Sequence, residues 1–295
     1  MELSFLPTSC YSKLVVVMVS KKLTLSIVIP VFNEEGHLAD CLDSIAAQTE
    51  IPDEVIVVDN NSTDASVEIA RSYPFVKILH EHRQHQAFAQ KTGFDNATSA
   101  ILGRIDADTV LPENWVQKVK LEFEKNPGVK AITGTPWPYD MFAKKGAVAI
   151  FMFYHGLASR LAGQQMIWGA NAAFRASTWR KIREQVLQRA DIWEDYDLSL
   201  LIKDKKAVKL VKDLEVGTSF RTVHKSFSAQ AEWQFRIVRT FYLRRSLTRT
   251  IMLGICWSTM ALLYPLAVLD HRVLKAVFDF KEHRREILEA PALID

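Results

Sequence analysis

The chain has few cysteines, and their placement supports no cysteine chemistry. Its three cysteines, Cys10, Cys41 and Cys256, are scattered along the sequence and never spaced as C-x-x-C. A disulfide framework or a cysteine-ligated zinc site needs paired or clustered cysteines, so the sequence excludes both and suits a reducing compartment. We therefore expect all three to be inert apolar thiols.

The chain also lacks the features of a nucleic-acid-binding protein. Its formal net charge is only +3 over 295 residues, and no RNA- or DNA-binding motif occurs. There is no internal repeat and no low-complexity linker. The 48% hydrophobic content is enough for one large core or two modest ones.

The amino terminus lacks a complete targeting signal. The apolar run at residues 14–19 is shorter than a secretory h-region, and no small-residue cleavage site follows it. We expect residues 1–22 to be a poorly ordered extension, with either Met1 or Met18 as the true start.

The carboxyl-terminal part, in contrast, contains a long uncharged run at residues 250–269. About 20 helical residues span about 30 Å, the thickness of the hydrocarbon core of a bilayer. Arginines alternate with aromatic residues over 233–249, as in helices that lie on anionic membranes. We expect residues 226–295 to form membrane-associated helices that either span or lie in the membrane. The alternative is a buried hydrophobic helix with a solvated basic neighbour.

Strand-like apolar runs alternate with helical patterns through the first half of the chain. The runs lie at residues 25–30, 54–59, 76–80, 100–106 and 129–134. This alternation predicts an α/β fold, with an open, mostly parallel sheet and helices on both faces. Ligands of such sheets bind beyond the carboxyl ends of the strands. Four polar side chains are predicted at those ends: Asn33, Asp59, Asp106 and Asp108.

The second half is less regular. Helical patterns cover residues 146–162, 177–188 and 193–203, and two short strands are predicted at 208–211 and 215–220. We assign residues 23–225 to one domain.

Asp106 and Asp108 form the most informative motif. Side chains at i and i+2 of an extended segment point to the same side. Mg²⁺ and Mn²⁺ prefer oxygen ligands and are commonly held by one or two carboxylates together with substrate phosphates. The pair therefore predicts a site for a metal-bound diphosphate.

Several motifs, taken in order and spacing, resemble the family-2 glycosyltransferases of the GT-A fold. The resemblance covers about residues 23–225. The matching motifs are the opening strand and turn at 26–35, the segment 58–64, the acids Asp106 and Asp108, the segment 169–175 and the pair Glu194-Asp195.

This resemblance implies a nucleotide-sugar donor of the UDP or GDP type, lying across the strand ends. Asp59 would read the nucleobase, because a carboxylate accepts hydrogen bonds from a base or ribose. Its alternative role is that of a helix cap or turn residue; we assign the cap of the next helix to Asp64 and keep Asp59 as the ligand. The other implied donor-binding residues are Pro30, Val31, Asn33, Glu35, Asp106 and Arg221.

The resemblance also implies the metal and the catalytic base. Asp108 would bind Mg²⁺ or Mn²⁺ directly, and Asp106 would face the ribose or a metal-bound water. Asp195 would take the proton of the acceptor hydroxyl in an inverting displacement. The neighbouring acids Glu194 and Asp197 compete for that role, and all three could merely complement the helix dipole.

Three residues, Trp168, Gly169 and Asn171, would lie on the acceptor side. Residues 83–93 depart from the family pattern, which leaves the identity of the donor open. The chain lacks a Q-x-x-R-W signature after Asp195, which favours transfer of one sugar over polymerisation.

We expect a glycosyltransferase at the cytoplasmic face of a membrane, membrane-associated or single-pass, acting on a lipid-linked or membrane-held acceptor. The alternatives are a membrane-tethered, non-catalytic nucleotide-sugar-binding protein and a sugar-nucleotide pyrophosphorylase. The pyrophosphorylase would need a glycine-rich, arginine-containing loop after the first strand, and residues 31–36 provide none.

Overall fold

The computed structural model describes residues 22–141, 144–221, 227–244 and 254. Within them, seven strands form one sheet in the order β3-β2-β1-β4-β6-β5-β7. Strand β6 is antiparallel to both of its neighbours, and the other pairings are parallel. The strands are β1 Leu25–Val31, β2 Glu54–Asp59, β3 Val76–His80, β4 Ile101–Arg104, β5 Ala131–Pro138, β6 Ala172–Arg175 and β7 Val208–Thr218.

Helices cover both faces of this sheet, as the alternating pattern predicts. On one face, α1 and α4 pack against Leu25, Ile27 and Ile29 of β1. On the other face, α3, α6 and α7 pack around Val28 of the same strand. Side chains of a strand point alternately to opposite faces, so a strand buried on both faces reads as one continuous apolar run. The helices are α1 Leu38–Ala46, α2 Ser66–Arg71, α3 Gln86–Asn96, α4 Trp115–Lys125, α5 Lys144–Ala162, α6 Ala176–Ile182, α7 Glu194–Leu201 and α8 Phe227–Leu243.

The second half of the sheet differs from the prediction in two places. The two short strands predicted at 208–211 and 215–220 are one strand, β7, which pairs with β5 through a register shift at Thr133/Thr135. β7 lies at the edge of the sheet, and its exposed polar residues interrupt the apolar pattern. Strand β6 lies in a segment that was not predicted to be extended, because four residues are too few to show an alternation.

Helix α8 packs against the domain rather than standing apart from it. Ile237 and Phe241 are buried in a small core shared with Ala158 of α5 and Tyr196 of α7. On the same helix, Arg239 pairs with Asp191 at 2.9 Å. One arginine of this segment thus forms an ion pair with an acid of the preceding domain. The division of domains at residue 226 stays a prediction.

Among the described helices, none is both long and apolar enough to cross a membrane. The predicted membrane segment at residues 250–269 falls outside the described residues, apart from Gly254. The predicted amino-terminal extension also falls outside them, apart from Lys22.

Candidate active site

A buried arginine joins the two acidic motifs. Arg104 is the last residue of β4 and is only 1% exposed. Its Nη2 lies 2.9 Å from Oδ1 of Asp106 and 3.7 Å from Oε1 of Glu194. Its Nη1 lies 3.9 Å from Oδ2 of Asp195. One guanidinium therefore faces three carboxylates at the carboxyl edge of the sheet.

Asp195 keeps one carboxylate oxygen unused. The residue is 4% exposed, and its Oδ2 accepts the backbone N–H of Gly169 at 2.9 Å. Its Oδ1 is buried and has no hydrogen-bond partner among the described residues. Burial raises the pKa of Asp195, and the charge of Arg104 opposes that rise. An unpaired buried acceptor costs roughly 1–3 kcal/mol, so this oxygen is well suited to accept a proton from a bound ligand.

Gly169 allows Arg104 and Asp195 to approach each other. A Cβ atom at this position would lie 1.9 Å from Nη1 of Arg104 and 2.3 Å from Oδ1 of Asp195. Neither distance permits an atom, so a residue without a side chain is required where the backbone passes the two charged groups.

The other two acids of α7 have different surroundings. Burial and then the charge of Asp195 raise the pKa of Glu194 to about 8, against the opposing charge of Arg104. Asp197 is fully buried, accepts the N–H of Leu187 at 2.9 Å and forms an ion pair with Arg244. Both carboxylate oxygens of Asp197 are thus bound within the fold. This difference favours Asp195 over Asp197 as the base.

The two acids of the metal motif are also unequal. Oδ1 of Asp106 forms an ion pair with Arg104 and accepts a hydrogen bond from the amide of Gln86 at 2.9 Å. Oδ2 of Asp108 lies 3.4 Å from Nη2 of Arg221. Burial, and then the charge of Asp106, raises the pKa of Asp108 to about 7. Asp108 therefore has fewer side-chain partners among the described residues than Asp106.

This donor set fits a hard divalent cation. The described residues contain no group of three or more metal-ligating side chains. Two neighbouring carboxylates with excess negative charge suit an ion that takes its other ligands from a diphosphate and water. The predicted roles of Asp108 and Asp106 fit that arrangement and stay predictions.

Arg221 lies beside Asp108 of the metal motif, and it was predicted to contact the diphosphate. Its Nη2 binds Glu34, and its Nη1 lies 3.1 Å from Nδ1 of His37. The neighbouring Glu35 was predicted to bind the donor, and its side chain accepts the N–H of Ala65 at 3.0 Å in the adjacent turn. Glu34, which was not among the predicted donor-binding residues, shares Arg221 as an ion-pair partner with Asp108 of the metal motif.

The turns that follow β1 and β2 are joined by hydrogen bonds. Asn33 adopts a φ of 54°, a left-handed conformation that asparagine tolerates, and its Oδ1 accepts the N–H of Thr63 at 2.8 Å. Asp59 accepts the N–H of Ser62 at 3.0 Å and lies 3.1 Å from Nδ1 of His80. Pro30 and Val31 are buried at the end of β1.

Asp59 therefore has the contacts of a turn residue, the alternative considered above. Its role in reading a nucleobase remains a prediction. Asp64 accepts the N–H of Ser66, the first residue of α2, at 3.0 Å. It therefore contributes to the start of that helix, although the capping position belongs to Ala65.

The acceptor-side residues separate into two kinds. Asn171 is fully buried, accepts the indole N–H of Trp115 at 2.9 Å and donates to the carbonyl of Leu214 at 2.7 Å. Its amide groups are used within the core, so we do not assign it an acceptor contact. Trp168 is half-buried and meets Phe151 edge to face, with ring centroids 5.2 Å apart.

Two residues of the site are not apparent from the motifs. Arg104 is a charged residue inside a run predicted to be a buried strand, and that contradiction was the available signal, because buried charges are nearly always paired. Gln86 begins α3 within the segment that departs from the family pattern, and nothing local to it indicates its contact with Asp106.

Similarity to known proteins identifies the class of this chain. The model of "Glycosyl transferase family 2" matches residues 26–183, more than half of the chain. The chain belongs to this family.

Curated relatives match only in part. Glycosyltransferase AglE of Haloferax volcanii is 35% identical over 117 residues, which cover 37% of this chain and 36% of the relative. The uncharacterized glycosyltransferase YibD of Escherichia coli is 35% identical over 88 residues, covering 28% of this chain and 26% of the relative. The matched segments thus span about a third or less of the length of these relatives.

Solved structures confirm the GT-A fold. The mannosyltransferase PcManGT of Pyrobaculum calidifontis, in complex with GDP-Man and Mn²⁺, superposes with a TM-score of 0.64 at 19% identity, covering 92% of this chain and 82% of that one. Glucosyl-3-phosphoglycerate synthase of Mycobacterium tuberculosis, in complex with Mn²⁺, UDP and its product, gives a TM-score of 0.56 at 17% identity, covering 77% and 80%.

Proposed function

We propose that this protein transfers one sugar from a UDP- or GDP-type nucleotide sugar to a hydroxyl group of a membrane-held or lipid-linked acceptor, with inversion at the anomeric carbon. The observation that carries the proposal is the environment of Asp195. Its carboxylate is buried, faces the same guanidinium as Asp106 of the metal motif, and retains one oxygen, Oδ1, without a hydrogen-bond partner among the described residues. The side chain of Arg104 thus links the proposed base, Asp195, to Asp106 of the proposed metal site.

In the proposed reaction, the acceptor oxygen bonds to the anomeric carbon while the bond from that carbon to the diphosphate breaks. Asp195 takes the proton of the acceptor hydroxyl at Oδ1, because Oδ2 is already held by the N–H of Gly169. Asp108 and Asp106 would hold Mg²⁺ or Mn²⁺, which supplies positive charge to the departing diphosphate when bound. Arg221 would stabilise the same charge.

The donor class is supported by the family and by the solved relatives. PcManGT was solved with GDP-Man and Mn²⁺, and the mycobacterial synthase with UDP and Mn²⁺. In the present chain, the linked turns of Asn33 and Asp59 lie at the same edge of the sheet as Asp108. We assign the nucleotide to these turns and the diphosphate to the region between Asp108 and Arg221.

The proposed acceptor and membrane location are supported by exposed apolar side chains. Phe153 of α5 is 64% exposed, and Phe235 and Tyr242 of α8 are 60% and 62% exposed. Exposed apolar side chains that form one patch mark a membrane or protein contact, and helices α5 and α8, which carry these three, share the core of Ala158, Ile237 and Phe241. We place this surface at the cytoplasmic face of a membrane.

The low exposure of Asp195 favours one alternative, a membrane-tethered protein that binds a nucleotide sugar without reacting it. The two functions are separated by one experiment in two stages. First, the melting temperature is measured with UDP-glucose, UDP-N-acetylglucosamine and GDP-mannose, each with and without Mn²⁺. A ligand that binds the folded state raises the melting temperature by mass action.

Second, the radiolabelled form of the nucleotide sugar that binds is incubated with the protein and a polar lipid extract. Label that enters the lipid phase supports the transferase. Binding without transfer to lipid or to water supports the non-catalytic alternative, and the absence of any Mn²⁺-dependent rise in melting temperature contradicts both.

A further inference from the structure

We propose that Arg104 is the residue that positions the catalytic base, and that it does so from the metal motif. It would fix the orientation of Asp195 and the separation between the base and Asp106. This inference rests on the proposed function, in which Asp195 receives the proton.

The contacts of Arg104 differ in distance. All three contacts are ion pairs, but Asp106 is the nearest partner, at 2.9 Å, whereas Glu194 and Asp195 lie at 3.7 and 3.9 Å. The guanidinium is therefore anchored at the metal motif and acts on the two acids of α7 through its charge. The Nε of Arg104 is buried and has no hydrogen-bond partner among the described residues. The guanidinium is therefore held in place by the carboxylates that face its two Nη atoms.

These contacts also select which oxygen of Asp195 remains free. Both the N–H of Gly169 and Nη1 of Arg104 face Oδ2. Oδ1 therefore remains for the acceptor. If Arg104 were absent, the buried carboxylates of Glu194 and Asp195 and the partly exposed one of Asp106 would face one another without this counter-charge.

Lysine cannot replace this arginine without a change in geometry. A guanidinium presents several donors in a fixed planar fork, whereas an ammonium is a compact point charge on a flexible stem. Arg104→Lys keeps the charge that neutralises the cluster and removes the fork. A misplacement of about 1 Å can cost about a hundredfold in rate, so we expect at least about a tenfold loss of kcat with donor affinity unchanged within about threefold.

The test is a double-mutant cycle on hydrolysis of the nucleotide sugar selected by the melting experiment. Water replaces the unidentified acceptor in this assay, and single-turnover rates are measured at saturating donor. If Arg104 acts through Asp195, Arg104→Lys costs at least about tenfold in the parent protein and less than about twofold in the Asp195→Asn background. A structural role would instead lower the rate by the same factor in both backgrounds, and that result would overturn the inference.

A second variant tests the same geometry if Arg104→Lys does not fold. Gly169→Ala adds a methyl group that meets Arg104 and Asp195 directly, whereas Gly156→Ala adds one with nothing within 4 Å. We expect Gly169→Ala to lower the rate at least tenfold in the parent and little in the Asp195→Asn background, and Gly156→Ala to change neither.

The outcomes also separate this inference from the proposed function. If Asp195→Asn reacts at the parental rate, the assignment of the base fails and the proposed function with it. If Asp195→Asn is slow while the folded Arg104→Lys and Gly169→Ala variants are as fast as the parent, only the role of Arg104 is overturned.

Discussion

Two regions place acids at the carboxyl edge of the sheet: the turns after β1 and β2 (the donor-side turns) and the charged group of Arg104, Asp106, Glu194 and Asp195 (the Arg104 cluster). The acids of the two regions have different partners. In the turns, Asp59 and Asp64 accept the backbone N–H groups of Ser62 and Ser66, close to them in sequence, and Asp64 is half-buried. In the cluster, Arg104, Glu194 and Asp195 are all at least nine-tenths buried and come from elements far apart in the chain. The turn acids accept hydrogen bonds from neutral backbone groups, whereas the acids of the cluster depend on the charge of Arg104.

This comparison predicts that loss of the carboxylate of Asp195 abolishes chemistry and that substitutions in the turns cost little. Asp195→Asn is the sharpest test. The two side chains are nearly isosteric, and a general base contributes about 10²- to 10⁴-fold to the rate. We expect sugar transfer to fall at least a hundredfold, with normal donor affinity by calorimetry and a melting temperature close to that of the parent. Glu194→Gln, the adjacent acid, is the control and should lose less activity.

Asp197 lies two positions along the same helix, and we expect its substitution to lower stability. Its ion pair with Arg244 is buried on the aspartate side, where the side-chain exposure is 0%. We expect Asp197→Asn to lower the free energy of unfolding by about 2 kcal/mol, because the arginine loses its counter-charge. Denaturant unfolding measures this loss. A stable Asp197→Asn protein that cannot transfer sugar would instead make Asp197 the candidate base.

A smaller effect, on the affinity for Mn²⁺, is expected at Asp108. If it is a direct metal ligand, Asp108→Asn lowers the affinity for Mn²⁺ in the presence of UDP at least tenfold, because a neutral amide is a poorer ligand than a carboxylate. Electron paramagnetic resonance of free Mn²⁺ gives this affinity directly. Asp64→Asn, an acid in the nearby turn, is the control and should bind Mn²⁺ as the parent does. Unchanged affinity in Asp108→Asn would move the metal elsewhere.

The smallest effect is expected in the donor-side turns. Thr63→Ala removes only the hydroxyl contact to Asn33 and leaves the stronger backbone hydrogen bond in place. We expect a loss of stability of less than about 1 kcal/mol and a change in donor affinity of less than about threefold. A loss as large as that of Asp197→Asn would show that the turns are as sensitive as the buried cluster.

Much of the parallel half of the fold could be predicted from the sequence. Strands β2 and β3 and helix α3 have the predicted bounds, Glu54–Asp59, Val76–His80 and Gln86–Asn96. These elements carry periodic apolar patterns and are bounded by turn residues, so local information defines them. Strand β6 depends instead on antiparallel pairing with β4, which no local pattern reveals.

The same distinction holds for the site. Asp108, Gly169 and Asp195 could be named from motifs, because each stands in a recognisable sequence context. Arg104 and Gln86 could not, because their roles arise from contacts between residues distant in the chain: Arg104 meets α7, and Gln86 meets Asp106. The buried charge on β4 was the one local sign that such a contact existed.

The central claim, that a metal-bound donor lies along this edge with Asp195 facing its anomeric carbon, is tested most directly by a crystal structure of the protein with Mn²⁺ and the nucleotide sugar that it binds. The account predicts a metal ion bonded to Asp108, at about 2.0–2.6 Å as for other carboxylate-bound cations. It also predicts the nucleobase beside Asp59 and Oδ1 of Asp195 on the side of the sugar opposite the diphosphate. A donor bound away from Asp108, or an anomeric carbon that faces Asp197 or Glu194 instead, would contradict it.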